Sequence, residues 1–217
     1  MTYSRIVFTT PRLLVALFIL VWLSGCTEPS KFERLPADAV VLAFGDSVTY
    51  GVGAGAGEDY PSRLAALAGL TIVNAGVSGD TARAAVSRLE PLLERHKPDL
   101  VIVELGGNDF LRKAQPTKVK EFLRDIIDKA SASGALVALV SVPRLSLLRA
   151  SVGALDDSPI YAELAEEEGV VLVPAIFSQV LSDGALRADE IHPNAQGYEA
   201  LAQGIHTVLV ERGLLSN

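Results

Sequence analysis

Residues Val41 to Tyr50 read V-L-A-F-G-D-S-V-T-Y, and the rest of the chain is interpreted outward from them. The apolar run Ala39–Phe44 stops at Gly45, and Asp46 and Ser47 follow at once. A buried strand ending in a glycine and a small polar pair is how an open α/β sheet presents a side chain at its carboxyl edge. Ser47 is therefore a candidate nucleophile. Gly, Asp and Ser are equally the residues of a turn that caps a helix. This stretch alone leaves both readings open.

Four further runs rich in Val, Ile and Leu recur along the chain: Thr71–Ala75, Asp99–Leu105, Ala135–Val142 and Val170–Pro174. None alternates cleanly between apolar and polar, so both faces are expected to be covered, as in a parallel sheet flanked by helices. The intervening stretches have helical spacing. Leu64, Leu67 and Leu70 follow Pro61 on one face. Thr81–His96 carries Ala85, Leu89, Leu92 and Leu93, with Pro91 as a potential break. Thr117–Ser133 carries Val119, Phe122, Ile126 and Ile127. Tyr161–Glu168 reads as a short helix and Ala195–Arg212 as a long one. Strands alternating with helices predict an α/β doubly wound fold around a parallel sheet of five strands. Gly51–Gly57, G-V-G-A-G-A-G, lacks the Lys-Ser/Thr of a phosphate loop and reads as a loop beside Ser47.

With 217 residues, 49% of them hydrophobic, the chain is long enough for one domain with a sizeable core. A net charge of −7 argues against binding nucleic acid through its phosphates. Arg5 and Arg12 precede an apolar run of 11 residues, L-L-V-A-L-F-I-L-V-W-L. That run is short for a membrane span of roughly 20 residues and has the length of a signal-peptide core. Leu23-Ser24-Gly25-Cys26 then resembles the bacterial lipobox, and Cys26 is the chain's sole cysteine. The expected organisation is a lipoprotein signal peptide over 1–25, a lipidated Cys26 and tether over 26–37, and a single folded domain over 38–217. The expected location is the bacterial cell envelope, facing the periplasm and held to the membrane by lipid on Cys26. Thr27, rather than Asp, after the cysteine points by analogy to the outer membrane.

Ligands in such sheets sit outside the carboxyl ends of the strands. At those ends the sequence places Asp46-Ser47, Asn74–Asp80 (N-A-G-V-S-G-D), Gly106–Asp109 (G-G-N-D), Val142–Arg144 (V-P-R) and Ala188–Asn194 (A-D-E-I-H-P-N). A hydroxyl nucleophile needs a base and a group that orients the base. Of the three histidines, His96 closes a helix and His206 sits within one. His192 lies in a loop three residues after Asp189, a spacing that lets the carboxylate fold back onto the ring. An oxyanion needs preorganised donors. The backbone N–H groups of Ser47 and Gly79 and the side-chain amide of Asn108 are the candidates. Each of these glycines and polar residues, taken singly, is also ordinary turn chemistry.

Taken together, A-F-G-D-S, V-N-A-G-V-S-G-D-T, V-E-L-G-G-N-D and D-E-I-H-P-N, spread over Ala43–Asn194, resemble the SGNH (GDSL-type) hydrolase family. E-L-G-G-N-D-F-L-R with Gln115-Pro116 looks most like its periplasmic acyl-CoA thioesterase I / lysophospholipase L1 / arylesterase branch. The resemblance implies a three-layer α/β/α, flavodoxin-like fold with a five-stranded parallel sheet, and a serine esterase acting on aryl esters, acyl thioesters or lysophospholipids through an acyl-serine. In it Ser47 is the nucleophile, His192 the base and Asp189 its orienter, while Ser47, Gly79 and Asn108 form the oxyanion hole. It implies no metal and no other cofactor. Asp46 and Asp109 match family positions and are expected to hold the loops bearing Ser47 and Asn108. Val48 stands where the family name has leucine, an apolar packing position. The acyl pocket is expected from Val48, Phe110, Leu111 and the segment 143–159. Two alternatives remain: a carbohydrate O-acetyl esterase of the envelope, and an inactive binding module on a hydrolase fold.

Overall fold

The computed structural model describes residues 1–3, 32–144 and 155–216. Residues 4–25 of the expected signal peptide, Cys26, 27–31 of the expected tether and 145–154 of the expected pocket segment lie outside the described residues. The chain divides into two units, Met1–Lys31 and Phe32–Asn217. Leu35 is buried in the second, its N–H donating to the Leu214 carbonyl at 2.9 Å. The compact unit thus takes in the last residues of the expected tether.

Five strands form one parallel sheet: β1 (Val40–Gly45), β2 (Thr71–Gly76), β3 (Leu100–Glu104), β4 (Leu136–Val140) and β5 (Val171–Val173), in the order β2-β1-β3-β4-β5. This is the doubly wound order with its switch point between β1 and β3, where the carboxyl edge opens into a crevice. Gly45 pairs with Gly76 on one side and Glu104 on the other, so three strand ends finish level with one another. β3 is buried along its whole length, as a strand covered on both faces must be. β2 departs from the expectation of full cover. It is half-exposed because it forms the sheet's edge, where the flanking helices cover less of it.

Among the described residues the helices are α1 (Ser47–Tyr50), α2 (Tyr60–Ala68), α3 (Ala82–His96), α4 (Gly107–Leu111), α5 (Pro116–Ala132), α6 (Ile160–Glu168), α7 (Ile176–Ser182) and α8 (Ala195–Glu211). α3 packs on α5 and α5 on α6, while α2 and α7 pack on α8. These two groups cover opposite faces, as right-handed crossovers in this strand order require. α3 runs unbroken through Pro91, which sits at an exposed position. Leu67 departs from its expected place on the buried face of α2 and is 43% exposed. α1, α4 and α7 are only four, five and seven residues long, too short for a periodicity to announce them.

Candidate active site

The turn after β1 is built by its glycine. A Cβ on Gly45 would lie 1.9 Å from Thr49 Oγ1 and 2.6 Å from the Glu104 carbonyl oxygen, so only glycine lets α1 start so close to β3. Asp46 caps α1, its Oδ1 accepting the Val48 N–H at 3.0 Å, and Ser47 becomes the first residue of that turn. The stretch Gly45-Asp46-Ser47 is therefore a helix cap, and the cap aims Ser47 into the crevice.

Opposite stands the loop before α8. Asn194 caps that helix through Gly197 N–H at 3.0 Å, and the loop is closed on itself by Ala188 N–H to the His192 carbonyl and Asn194 N–H to the Leu186 carbonyl, both 2.9 Å. Asp189 Oδ1 accepts the N–H groups of Ile191 at 2.8 Å and His192 at 2.9 Å, which folds the carboxylate back over the ring. His192 Nδ1 lies 2.8 Å from Asp189 Oδ2 and 3.0 Å from Oδ1. Its Nε2 lies 3.0 Å from Ser47 Oγ. A carboxylate can only accept, so Nδ1 carries the proton and Nε2 presents its lone pair to the Ser47 hydroxyl. Partial burial pushes the Asp189 carboxyl up, but the bond from the His192 ring and the two backbone N–H groups outweigh it and hold the carboxyl below its ordinary range.

Asn108 enters from α4, and its Nδ2 donates to Asp46 Oδ2 at 2.9 Å. One amide hydrogen is thus spent on holding the side chain, and the second remains for the crevice. Asp109, beside it, accepts the Ala82 N–H at 2.9 Å and ties α4 to the start of α3. Gly79 has φ +80, a left-handed backbone that glycine adopts without strain, and the space a Cβ would fill is open. Its link to the nucleophile turn is indirect. Arg112 donates to the Gly79 carbonyl at 3.0 Å, and Arg88 bridges Asp80 Oδ2 (2.6 Å), the Ala75 carbonyl (2.8 Å) and the Gly45 carbonyl (2.7 Å).

The sequence matches the GDSL-like Lipase/Acylhydrolase family over residues 43–200, a span that contains every residue just described. The chain belongs to that family. Two relatives set the company of this GDSL hydrolase. It is 35% identical over 175 residues to the thioesterase 1/protease 1/lysophospholipase L1 of Escherichia coli K12, covering 78% of this chain and 82% of that one. It is 32% identical over 206 residues to an arylesterase of Vibrio mimicus, covering 91% and 98%. Among solved structures, the crystal structure of TesA superposes with a TM-score of 0.71 at 29% identity, over 80% of this chain and 99% of that one. The chain is a carboxylic ester hydrolase of α/β fold.

In this GDSL hydrolase the recess at Ser47 is a cavity of about 20 Å³ lined by Val48, Gly107, Leu111, Phe177 and Ile191 along with the polar residues above. That is room for about one water-sized group. It suits a carbonyl group rather than an acyl chain. Val48 and Leu111 line it as expected, whereas Phe110 packs half-buried against the core. The larger surface cavity, about 670 Å³, lies between α3 and α5 around Leu93, Lys97 and Lys129, away from Ser47. Among the described residues no cluster of three or more His, Cys, Asp or Glu side chains could hold a metal.

Several residues that shape the site were not singled out in the sequence, although Glu104 lies within the V-E-L-G-G-N-D stretch. Arg88 lies over the Phe44 ring at 4.0 Å while bridging the loop ends. Glu104 sits at the end of β3 and is buried. Its signal in the sequence is a lone acid closing an otherwise apolar strand, V-I-V-E. The loop Gly51–Gly57 turns out to be anchored at its start: Val52 N–H donates to the Ser47 carbonyl at 3.0 Å, and the Val52 carbonyl accepts the Tyr198 hydroxyl at 2.7 Å. A Cβ on Gly53 would lie 2.5 Å from the Pro193 carbonyl oxygen, so this glycine lets the nucleophile turn and the histidine loop meet.

Proposed function

We propose that the chain is a serine esterase that cleaves carboxylic esters or thioesters by two-step acyl transfer, with Ser47 as nucleophile, His192 as general base and Asp189 as its orienter. The observation that carries this is the continuous hydrogen-bond line Asp189–His192–Ser47, at 2.8 and 3.0 Å. His192 Nε2 takes the Ser47 proton as Oγ attacks the acyl carbonyl, and the imidazolium is stabilised by Asp189. The proton then passes to the leaving alkoxide or thiolate. Water, deprotonated by the same nitrogen, releases the acid and regenerates Ser47. The oxyanion accepts from the Ser47 and Gly79 N–H groups and from Asn108 Nδ2, where loss of one donor costs about 100- to 1000-fold. Small aryl esters, acyl thioesters and lysophospholipids are the substrate classes that the names of the relatives suggest. Substituting Ser47→Ala should remove turnover of a short-chain aryl ester while leaving the circular dichroism spectrum unchanged. Retained turnover would mean that another group is the nucleophile.

We also infer that residues 1–25 are a lipoprotein signal and that lipid on Cys26 holds the enzyme to the bacterial envelope, facing the periplasm. The support is the Arg-flanked apolar run and the lone cysteine after Leu23-Ser24-Gly25. Substituting Cys26→Ser should move the expressed protein from the membrane fraction to the soluble one; unchanged membrane retention would contradict lipidation.

A further inference from the structure

A second carboxyl lies beneath the nucleophile turn, and acyl transfer as described leaves it without a role. Glu104 is 1% exposed and lines the same recess as Ser47, Asn108 and His192. Its Oε2 accepts the Thr49 hydroxyl at 3.1 Å, and Thr49 pairs in turn with the Tyr60 hydroxyl at 3.0 Å. Its Oε1 is buried and receives no N–H or O–H from the described residues. A buried carboxylate oxygen left in that condition is costly. The Asp46 carboxyl, itself 3% exposed, lines the same recess within hydrogen-bond reach of the Glu104 carboxyl. Two carboxyl groups can share a hydrogen bond only if one of them holds a proton. Asp46 already accepts two N–H bonds, from Val48 and Asn108, which favour its anion. Glu104 accepts the Thr49 hydroxyl, and the one N–H that reaches it is the Thr49 backbone's. The proton therefore belongs on Glu104.

We propose that Glu104 is a neutral carboxylic acid in the working enzyme and donates its proton in a hydrogen bond to Asp46, so that the pair carries one negative charge and holds the Asn108 amide and the Val48 N–H around Ser47. Glu104 is thus a positioning residue, acting through Asp46 and Asn108. The surroundings agree. Burial first, then the Asp46 charge, lifts the Glu104 carboxyl well above its ordinary range. Burial lifts Asp46 only to about 6, because the Val48 and Asn108 bonds and the charge on His192 oppose it, while Asp80 adds a small push upward. The other titratable groups facing Glu104 are Tyr60 of α2, Tyr161 of α6 and Tyr198 of α8, each pushed up by burial and then by the Glu104 charge. None of these three is a cation, and His192, which lines the same recess, is hydrogen-bonded to Asp189 and Ser47 rather than to Glu104. When alkaline pH strips the Glu104 proton, two adjacent anions repel and the Asn108 amide loses its fixed partner.

The inference rests on the proposed function only for the part given to Asn108. Its test is therefore partly independent of activity. Full-length protein is prepared with glutamate labelled at the side-chain carboxyl carbon, and the carboxyl resonances are titrated by NMR. One glutamate should keep the neutral-acid shift at neutral pH, and that resonance should vanish in Glu104→Gln. Gln keeps a donor for Asp46 and an acceptor for Thr49, so its kcat should stay within about threefold of wild type, and it should lose the alkaline decline of the wild-type pH profile. Glu104→Leu supplies no donor and should lose about tenfold or more in kcat with KM little changed. A spectrum with every glutamate ionised at neutral pH overturns the proposal, whether or not the variants fold. So does a Gln variant as impaired as the Leu one. Loss of the Ser47 assignment alone would leave the NMR result standing.

Discussion

Replacing Asp189 by Asn removes one charge and almost no volume, which makes it the sharpest probe of how the histidine is held. Asp189 Oδ1 receives the Ile191 and His192 N–H groups at 2.8 and 2.9 Å, so the amide oxygen of Asn would be retained at that position. The new NH2 would then stand where Oδ2 now lies, 2.8 Å from His192 Nδ1. Two effects follow. The first is the loss of charge opposite the imidazolium that forms in the reaction. The Asp189 side chain is 47% exposed, so an effective dielectric between about 40 and 80 applies rather than a buried value. At the separation of 2.8 Å this gives about 1.5–3 kcal/mol, or roughly ten- to hundredfold in rate. The second effect is the tautomer. A donor facing Nδ1 favours the ring with its proton on Nε2, which donates to Ser47 instead of accepting from it. In serine triads that fault brings the total loss to about ten-thousandfold. We expect kcat on an aryl ester to fall by between about tenfold and ten-thousandfold, with KM within about threefold of wild type. The assay is initial-rate release of the phenol, with unfolding followed in parallel to show an intact fold. A loss in kcat below about threefold, or a loss carried by KM alone, would refute the reasoning.

Gly45→Ala places a methyl 1.9 Å from Thr49 Oγ1 and should destabilise the protein by about 1–3 kcal/mol in urea unfolding, since α1 or β3 must move; unchanged stability would show that the close approach is not required. The carboxyls of Asp46 and Glu104 are raised by burial, so the stability they lend is whole below the ordinary carboxylate range and is lost as pH rises through about 6 for Asp46 and higher for Glu104. The melting temperature of Glu104→Gln relative to wild type should therefore climb as pH rises, and a flat or falling difference would contradict the shared proton. Arg88→Ala should cost about 2–4 kcal/mol in the same urea assay, because three oxygen partners and the Phe44 ring lose their cation together; a loss under about 1 kcal/mol would demote the bridge to a surface contact.

The parts of the fold that sequence could announce were those with a period or a terminator. The apolar runs delivered all five strands to within a residue or two, because parallel strands covered on both faces have little polar interruption. Asp189-x-x-His192 was legible for a local reason: a carboxylate three residues before a histidine can fold back without help from the rest of the fold. By position Ser47 was legible as a strand-end hydroxyl, and it took the family resemblance to pair it with His192 across 145 residues. The bonds that fix the oxyanion side are similarly remote. Asn108 meets Asp46 across 62 residues, Arg88 meets Gly45 across 43, and Glu104 meets Thr49 across 55. No spacing rule reaches that far, so Arg88 and Glu104 emerged only once the chain was folded. Leu67 was misplaced because helical spacing fixes which residues share a stripe but not how wide a stripe the sheet covers.

The central claim, that Ser47 is the nucleophile activated by His192, is tested most directly by treating the wild-type protein with a serine-directed fluorophosphonate and mapping the adduct by mass spectrometry. The account predicts one adduct per chain, on the peptide that contains Ser47, and markedly slower labelling in an His192→Ala variant. An unlabelled protein, or an adduct on any other serine, would contradict it.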